Sequence, residues 1–150
     1  MLDLDLLQFQ DQLDIRRENG KTYVLDVIRK KYLALAPEEL VRQLLIQHLI
    51  KVAGYSKNRL SIEKGLKVNG LPRRWDLLIY APDMSPFMLV ECKAPSVKLN
   101  QDVFEQIAWY NMSIRVPYLL VTNGLQSLCY ELDYENAQVL PCKALPLYPA

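Results

Sequence analysis

Apolar residues recur along this chain at two periods. From Leu40 to Val52 they fall at Leu40, Val41, Leu44, Leu45, Leu49 and Val52, the three-and-four spacing of a buried helical face. Pro37 suits the first helical position, Glu38 and Glu39 suit the first turn, and Gly54 ends the run. A second helix is expected from about Asn100 to Ile114, with Asn100 as its cap. Elsewhere the pattern is that of strands. Ile15–Glu18 and Lys21–Val27 flank Asn19-Gly20, a favoured two-residue hairpin turn. Leu60–Val68 alternates in part and ends at Asn69-Gly70; Arg73–Tyr80 follows, then a proline-bounded turn over Ala81–Pro86. Pro86–Lys93 is apolar until its charged end, Tyr118–Thr122 reads as a buried strand closed by Asn123-Gly124, and Leu128–Leu132 reads as another. Residues 1–13 alternate acids with leucines and read as a loose arm. The proline-rich tail after Pro141 reads as irregular.

These elements divide 150 residues into one α/β domain: an arm and hairpin over 1–36, a core over 37–132 and a tail over 133–150. With 51% hydrophobic and 23% charged residues the composition is ordinary for a globular chain. Lys and Arg total 18, Asp and Glu 17, for a net charge of +1. That argues against a polybasic membrane binder and permits a local basic patch. No segment approaches the roughly 18 apolar residues of a membrane span, and the acidic start Met1–Asp5 is unlike a secretory signal. Cys92, Cys129 and Cys142 form no C-x-x-C pair, which fits a reducing cytoplasm and argues against structural zinc. The lone histidine, His48, lies on the apolar face of the first helix and reads as a packed, hydrogen-bonded core residue.

The residues that carry chemistry are Asp76, Glu91 and Lys93. Alternation puts Glu91 and Lys93 on one face of their strand and Val90 and Cys92 on the other, so Cys92 reads as core. If Tyr80 pairs with Phe87 across the Ala81–Pro86 turn, Asp76 falls opposite Glu91. If Val68 pairs with Leu71, Glu63 falls opposite Asp76. Three carboxylates then stand side by side. They repel unless one is protonated or a cation lies between them, and hard oxygen donors suit Mg²⁺ or Mn²⁺. A lysine beside such a cation can position or deprotonate water, or offset charge on a phosphate. On this reading Asp76→Asn raises the metal-free melting temperature and abolishes the rise caused by Mn²⁺. Lys64, Lys67, Arg73 and Arg74 cluster around the second hairpin, readable equally as phosphate contacts of a nucleic acid or as a solvated face. Arg29-Lys30-Lys31 is a second basic run, readable as a solvated face or as phosphate contact.

Asp76 with Glu91-Cys92-Lys93 on the next strand resembles the PD-(D/E)xK nuclease superfamily. Gln106 and Tyr110 add a Q-x-x-x-Y pattern on the following helix, where the two share a face. Together with Glu91–Ser96, Gln101–Asn111 and Tyr118–Gly124, the chain is similar to the N-terminal nuclease domain of type I restriction enzyme R subunits over roughly residues 37–132. The resemblance implies a restriction-endonuclease-like core of order α-β-β-β-α-β, with a mixed sheet flanked by helices and an N-terminal hairpin in front. It implies a Mg²⁺- or Mn²⁺-dependent DNA endonuclease of a restriction-modification system. Asp76 and Glu91 would be ligands with Glu39, preferred to Glu38, as the first-helix acid. Lys93 would act on water or phosphate, with Gln106, Tyr110 and Glu63 in support. Trp75 stands where the motif name has proline. Gly65 and Gly70 have phosphate-loop spacing, but Leu71-Pro72 follows them, so no ATP-driven motor is expected here. The alternative is a non-autonomous or inactive module that binds DNA or a partner: a motor or recognition subunit, or a second copy.

Overall fold

A computed structural model describes residues 2–62, 65–68, 71–74 and 76–150; for 65–68, 71–74 and 109–113 it describes the backbone. The first hairpin forms as its turn demands: β1 (Ile15–Glu18) pairs antiparallel with β2 (Lys21–Asp26), with Glu18 opposite Lys21. Asn19 and Gly20 both adopt positive φ, 51° and 77°, as a primed two-residue turn requires. A third strand that the sequence pattern does not announce, β3 (Lys31–Ala34), adds to β2. The basic run Arg29–Lys31 therefore covers the end of the β2–β3 turn and the start of a strand.

The N-terminal arm is not loose. The Leu2 N–H donates to the Ser127 carbonyl at 2.9 Å, and Leu6–Gln12 forms a 3₁₀ helix. Leu6 and Phe9 are three apart and so eclipse on a three-residue turn; both are buried. Phe9 meets the His48 ring edge-on, centroids 6.1 Å apart. His48 is a core residue, as expected, but its Nδ1 has no hydrogen-bond partner among the described residues. Burial holds its pKa below the usual value, against the opposing pull of Asp5.

Helix α1 (Pro37–Lys51) starts at its proline. The main sheet has the order β11-β10-β9-β8-β7-β4. β4 (Leu60–Ile62) is antiparallel to β7 (Leu77–Tyr80), which is antiparallel to β8 (Pro86–Cys92). β8 runs parallel to β9 (Tyr118–Thr122), a pairing that needs a long crossover, and α2 (Gln101–Ile114) lies in that connection. The Asn100 Oδ1 accepts the Val103 N–H at 3.2 Å and caps α2. β10 (Ser127–Asp133) and β11 (Gln138–Pro141) complete the sheet, so the 133–150 tail opens with a strand to which the sequence pattern assigned no element, and the stretch after Pro141 is irregular as expected. Tyr148 closes the tail on the core, packing against Tyr55 and Phe87 and donating to the Tyr80 carbonyl at 2.8 Å.

Two of the expected long strands are divided. β5 (Gly65–Val68) and β6 (Leu71–Arg74) form a separate two-stranded sheet. The pairing of Val68 with Leu71 is the expected one, and Ile62 opposite Leu77 keeps the same count.

Strand alternation sorts the apolar residues into two layers. Leu77, Ile79, Met88, Val90, Cys92 and Leu120 pack with Leu44, Leu45 and Leu49 of α1. Leu78, Leu89, Leu119 and Val121 pack with Ile107 of α2 on the opposite face. The fold is thus a mixed sheet with a helix on each face. Among the described residues no helix is long and apolar enough to cross a membrane.

Candidate active site

β8 buries six consecutive residues from Phe87 to Cys92, five of them apolar. The polar one, Glu91, alternates with Val90 and Cys92 and so stands on the α2 side of the sheet. Lys93 follows directly, and its N–H donates to the Thr122 carbonyl at 2.8 Å. Its Nζ lies 3.0 Å from Glu91 Oε1. Leu77 opposite Val90 carries the ladder to Asp76, in the bend before β7. There the Cys92 N–H donates to Asp76 Oδ2 at 2.7 Å. Asp76, Glu91 and Lys93 are therefore brought together where the sheet register predicts. The register differs in one pair: a bulge between Ile79 and Tyr80 sets Tyr80 opposite Pro86, not Phe87.

The electrostatics follow from burial. Glu91 is desolvated, Asp76 adds like charge, and only Lys93 opposes them, so the Glu91 carboxyl is pushed up to about 7. Burial works to lower the Lys93 pKa, but the charge and hydrogen bond of Glu91, with Glu38 and Asp76, raise it overall. Lys93 is thus an ammonium at neutral pH. Cys92 is fully buried and its thiol is pushed well above its ordinary value, chiefly by desolvation, which suits a core residue and not a nucleophile.

Sequence reasoning missed Arg42. Its side chain is 4% exposed and joins Glu39 Oε1 at 2.9 Å to Asp76 Oδ1 at 3.0 Å. The signal was present: Arg42 is the one Asp, Glu, Lys or Arg between Leu40 and Ile50, and a charge on a buried face needs partners. Glu39 also accepts from Gln43 Nε2 at 3.1 Å and lies 3.5 Å from Arg29 Nη2. It reaches the site through Arg42. The exposed Glu38 is the helix acid whose charge acts on Glu91 and Lys93. Asn123 was missed too, having been read only as a strand end. It is buried and donates to the Val97 carbonyl at 2.8 Å, while its Oδ1 accepts the N–H groups of Leu125 and Gln126. It ties the loop after Lys93 to the turn after β9.

Gln106 is exposed on α2, and among the described residues no hydrogen bond joins it to Asp76, Glu91 or Lys93. The side chains of Tyr110, Lys67, Arg73 and Arg74, and all of Glu63 and Lys64, lie outside the described residues. Among those described, no three His, Cys, Asp or Glu side chains form a group able to hold a metal ion.

This arrangement, a carboxylate pair and a lysine at the end of a central strand, lies within a stretch with a clear family signature. The model of the type I restriction enzyme R protein N terminus matches residues 37–146. The chain belongs to this family. No curated protein is a significant match. Among solved structures, a fragment described as an HsdR subunit of a type I restriction enzyme from Vibrio vulnificus YJ016 superposes with a TM-score of 0.53 at 19% identity. The match covers 74% of this chain and 24% of that one, so the chain spans about a quarter of its structural neighbour. Asp76, Glu91, Lys93, Arg42 and Asn123 all fall inside the R protein N-terminal match, whereas the three-stranded sheet β1–β3 lies before it.

Proposed function

We propose that this R protein N-terminal domain is a divalent-metal-dependent DNA endonuclease, with Asp76 and Glu91 as metal ligands and Lys93 beside the scissile phosphate. The observation that carries the reading is the raised carboxyl of Glu91 next to Asp76. Along the ion-pair chain, Asp26, Glu39, Asp76 and Glu91 face Arg29, Arg42 and Lys93, so with all four carboxylates ionised the site is short of positive charge. Two hard-oxygen side chains fit Mg²⁺ or Mn²⁺, which keeps several waters and takes its remaining donors from phosphate. Asp76 has both oxygens engaged, by Arg42 and by the Cys92 N–H, yet a carboxylate has about four lone-pair sites, so two remain for a cation. Glu38 supports the pair from α1 better than Glu39, whose oxygens are held by Arg42 and Gln43.

The residues divide the work. Arg42 and the Cys92 amide fix the orientation of Asp76. Glu91 loses its proton near pH 7 and then presents a full carboxylate. Lys93, held as an ammonium, offsets charge growing on the phosphate oxygens rather than taking a proton from water. A cation bound by the pair would supply a water of lowered pKa and Lewis acidity. The net reaction adds water across one P–O ester bond, leaving a phosphate monoester and a hydroxyl. One such site cuts one strand, so a double-strand break requires a second copy or a second visit. Lys67, Arg73 and Arg74 on β5 and β6, with Lys64, belong to this proposal as DNA contacts, and Gln106 and Tyr110 as supports from α2.

Nicking of supercoiled plasmid with Mg²⁺ and with Mn²⁺ tests the reading. Metal-dependent cutting that Lys93→Ala abolishes, with its melting temperature kept, is the expected result. A second reading, a module that works only with a motor or recognition subunit, is favoured by one fact: a net charge of +1 gives the chain little overall attraction for DNA. It predicts no nicking by the chain alone, with metal binding retained by calorimetry.

A further inference from the structure

Beside the site, the β2–β3 turn faces the segment that leads into β4. Two adjoining cavities of about 320 and 360 Å³ lie between them and share Ile28, Asn58 and Leu60. Lys30 and Lys57 line the first, Arg29 and Arg59 the second, and among the described residues no Asp or Glu lines either. Lys30 and Lys57 are exposed. The turn is held in shape from beneath. Asp26 is fully buried, its Oδ1 accepts the N–H groups of Ile28 and Arg29, and its Oδ2 lies 2.6 Å from Arg29 Nε. Asp83, next to the lining residue Met84, is engaged by the Ser85 N–H and hydroxyl. With Arg29 engaged by Asp26, the three cations Lys30, Lys57 and Arg59 on a preorganised groove with no acid among its described lining residues make a surface for a polyanion.

The groove also has a direction. β4 runs antiparallel to β7, so passing from Leu60 to Ile62 leads toward Leu77 and Asp76. Ser61 lies in one row with Leu78 and Leu89, and Glu91 is two residues beyond Leu89 on the same face. Strand spacing and rise put Ser61 roughly 12 Å from Glu91. Ser61 lines the second cavity, and its buried hydroxyl has no hydrogen-bond partner among the described residues. An ion-pair chain, Arg29–Glu39–Arg42–Asp76, joins the groove wall to the site.

We infer that this groove grips the phosphate backbone of DNA and leads it to Asp76 and Glu91, with the segment before the family match supplying Arg29 and Lys30 as one wall. The inference rests on the nuclease reading for its choice of polyanion. Its test is independent of cutting. Binding of a fluorescein-labelled DNA duplex is followed by anisotropy in metal-free buffer across a salt titration. The proteins are wild type, Lys30→Ala with Lys57→Ala, and a charge-matched control, Lys21→Ala with Lys143→Ala. The groove variant is expected to bind more weakly and to lose about 2 from the slope of log K against log salt, one per phosphate contact. The control keeps the wild-type slope, and all three melt together because the lysines are exposed. Equal slopes in the two double variants, or no duplex binding by the wild type, overturn the inference. Nicking separates the two claims. Lys93→Ala should lose cutting and keep the slope to within the about 1 that its own phosphate contact contributes. A wild type that binds through the groove but never cuts removes the nuclease reading and leaves the groove standing.

Discussion

Glu91→Gln gives the sharpest test of the site's electrostatics. The Glu91 carboxyl ionises near 7 in the fold against an ordinary 4.5, because it is desolvated and faces Asp76. Between those values the folded protein holds a proton that the unfolded chain has released. Stability from this group is therefore fully present below about 4.5 and is lost as pH rises through 7. At about 1.4 kcal/mol per pH unit the loss is roughly 3 kcal/mol. For a chain of this length that is a fall in Tm of about 6–12 °C. Glutamine keeps the shape and an acceptor for Lys93 but cannot ionise. His48 acts with the opposite sign: its depressed pKa adds stability that is lost as pH falls below its usual 6.5. It is present in both proteins, so their difference isolates Glu91. Thermal melts from pH 5 to 8.5 without metal should show wild type falling relative to the variant and crossing below it. Adding Mg²⁺ should flatten the wild-type curve and leave the variant's unchanged. Parallel Tm–pH curves without metal would refute the buried carboxylate pair.

Other predictions concern the supports. Asp76→Asn, expected from like-charge repulsion alone to raise the metal-free Tm, should instead lower it. The substitution weakens charge-assisted bonds from Arg42 and the Cys92 amide, at about 1.5–3 kcal/mol, read by urea denaturation. Gly124→Ala should destabilise by about 1–3 kcal/mol: Gly124 has φ +89°, and an added Cβ would lie 3.2 Å from Val41 Cγ2. Asn123→Ala should cost about 1–3 kcal/mol and speed amide exchange over 94–98, because it frees the loop that Asn123 pins through the Val97 carbonyl.

The helices and central strands were legible because each rests on a local signal. Pro37 with two acids marks the start of α1, and Asn100 caps α2. The pairing of Asp76 with Glu91 was legible for a subtler reason. Counting outward from Tyr80 and Phe87 gives Leu77 opposite Val90, which is observed, although the starting pair is displaced by the bulge at Tyr80. The bulge sits at the turn end and leaves the register at the site end intact. Strands β3 and β11 were hidden because each is four residues long and follows a turn without a hairpin dipeptide: Lys30 and Ala137, not glycine, take positive φ there. The arm was misread because Leu6 and Phe9 give only one repeat of a three-residue period, and the exposed Leu7 beside them obscures it.

What the sequence pattern could not supply is how charges are satisfied across elements. Arg42 and Asp76 are 34 residues apart and meet only because α1 crosses the sheet end where β7 begins. The choice between Glu38 and Glu39 turns on the same fact. Glu39 is the more buried of the two, which makes it look like the ligand, but its burial is the result of pairing with Arg42. Glu38, exposed at the first turn of α1, is the acid whose field reaches Glu91 and Lys93. The helix therefore offers two acids with different tasks: Glu39 neutralises the buried arginine that orients Asp76, and Glu38 faces the site. Removing Glu39 should then lower stability and removing Glu38 should not. If metal affinity measured by calorimetry falls in Glu38→Gln and holds in Glu39→Gln, the division stands; the reverse result would return the ligand role to Glu39 and leave Arg42 as a displaced bystander.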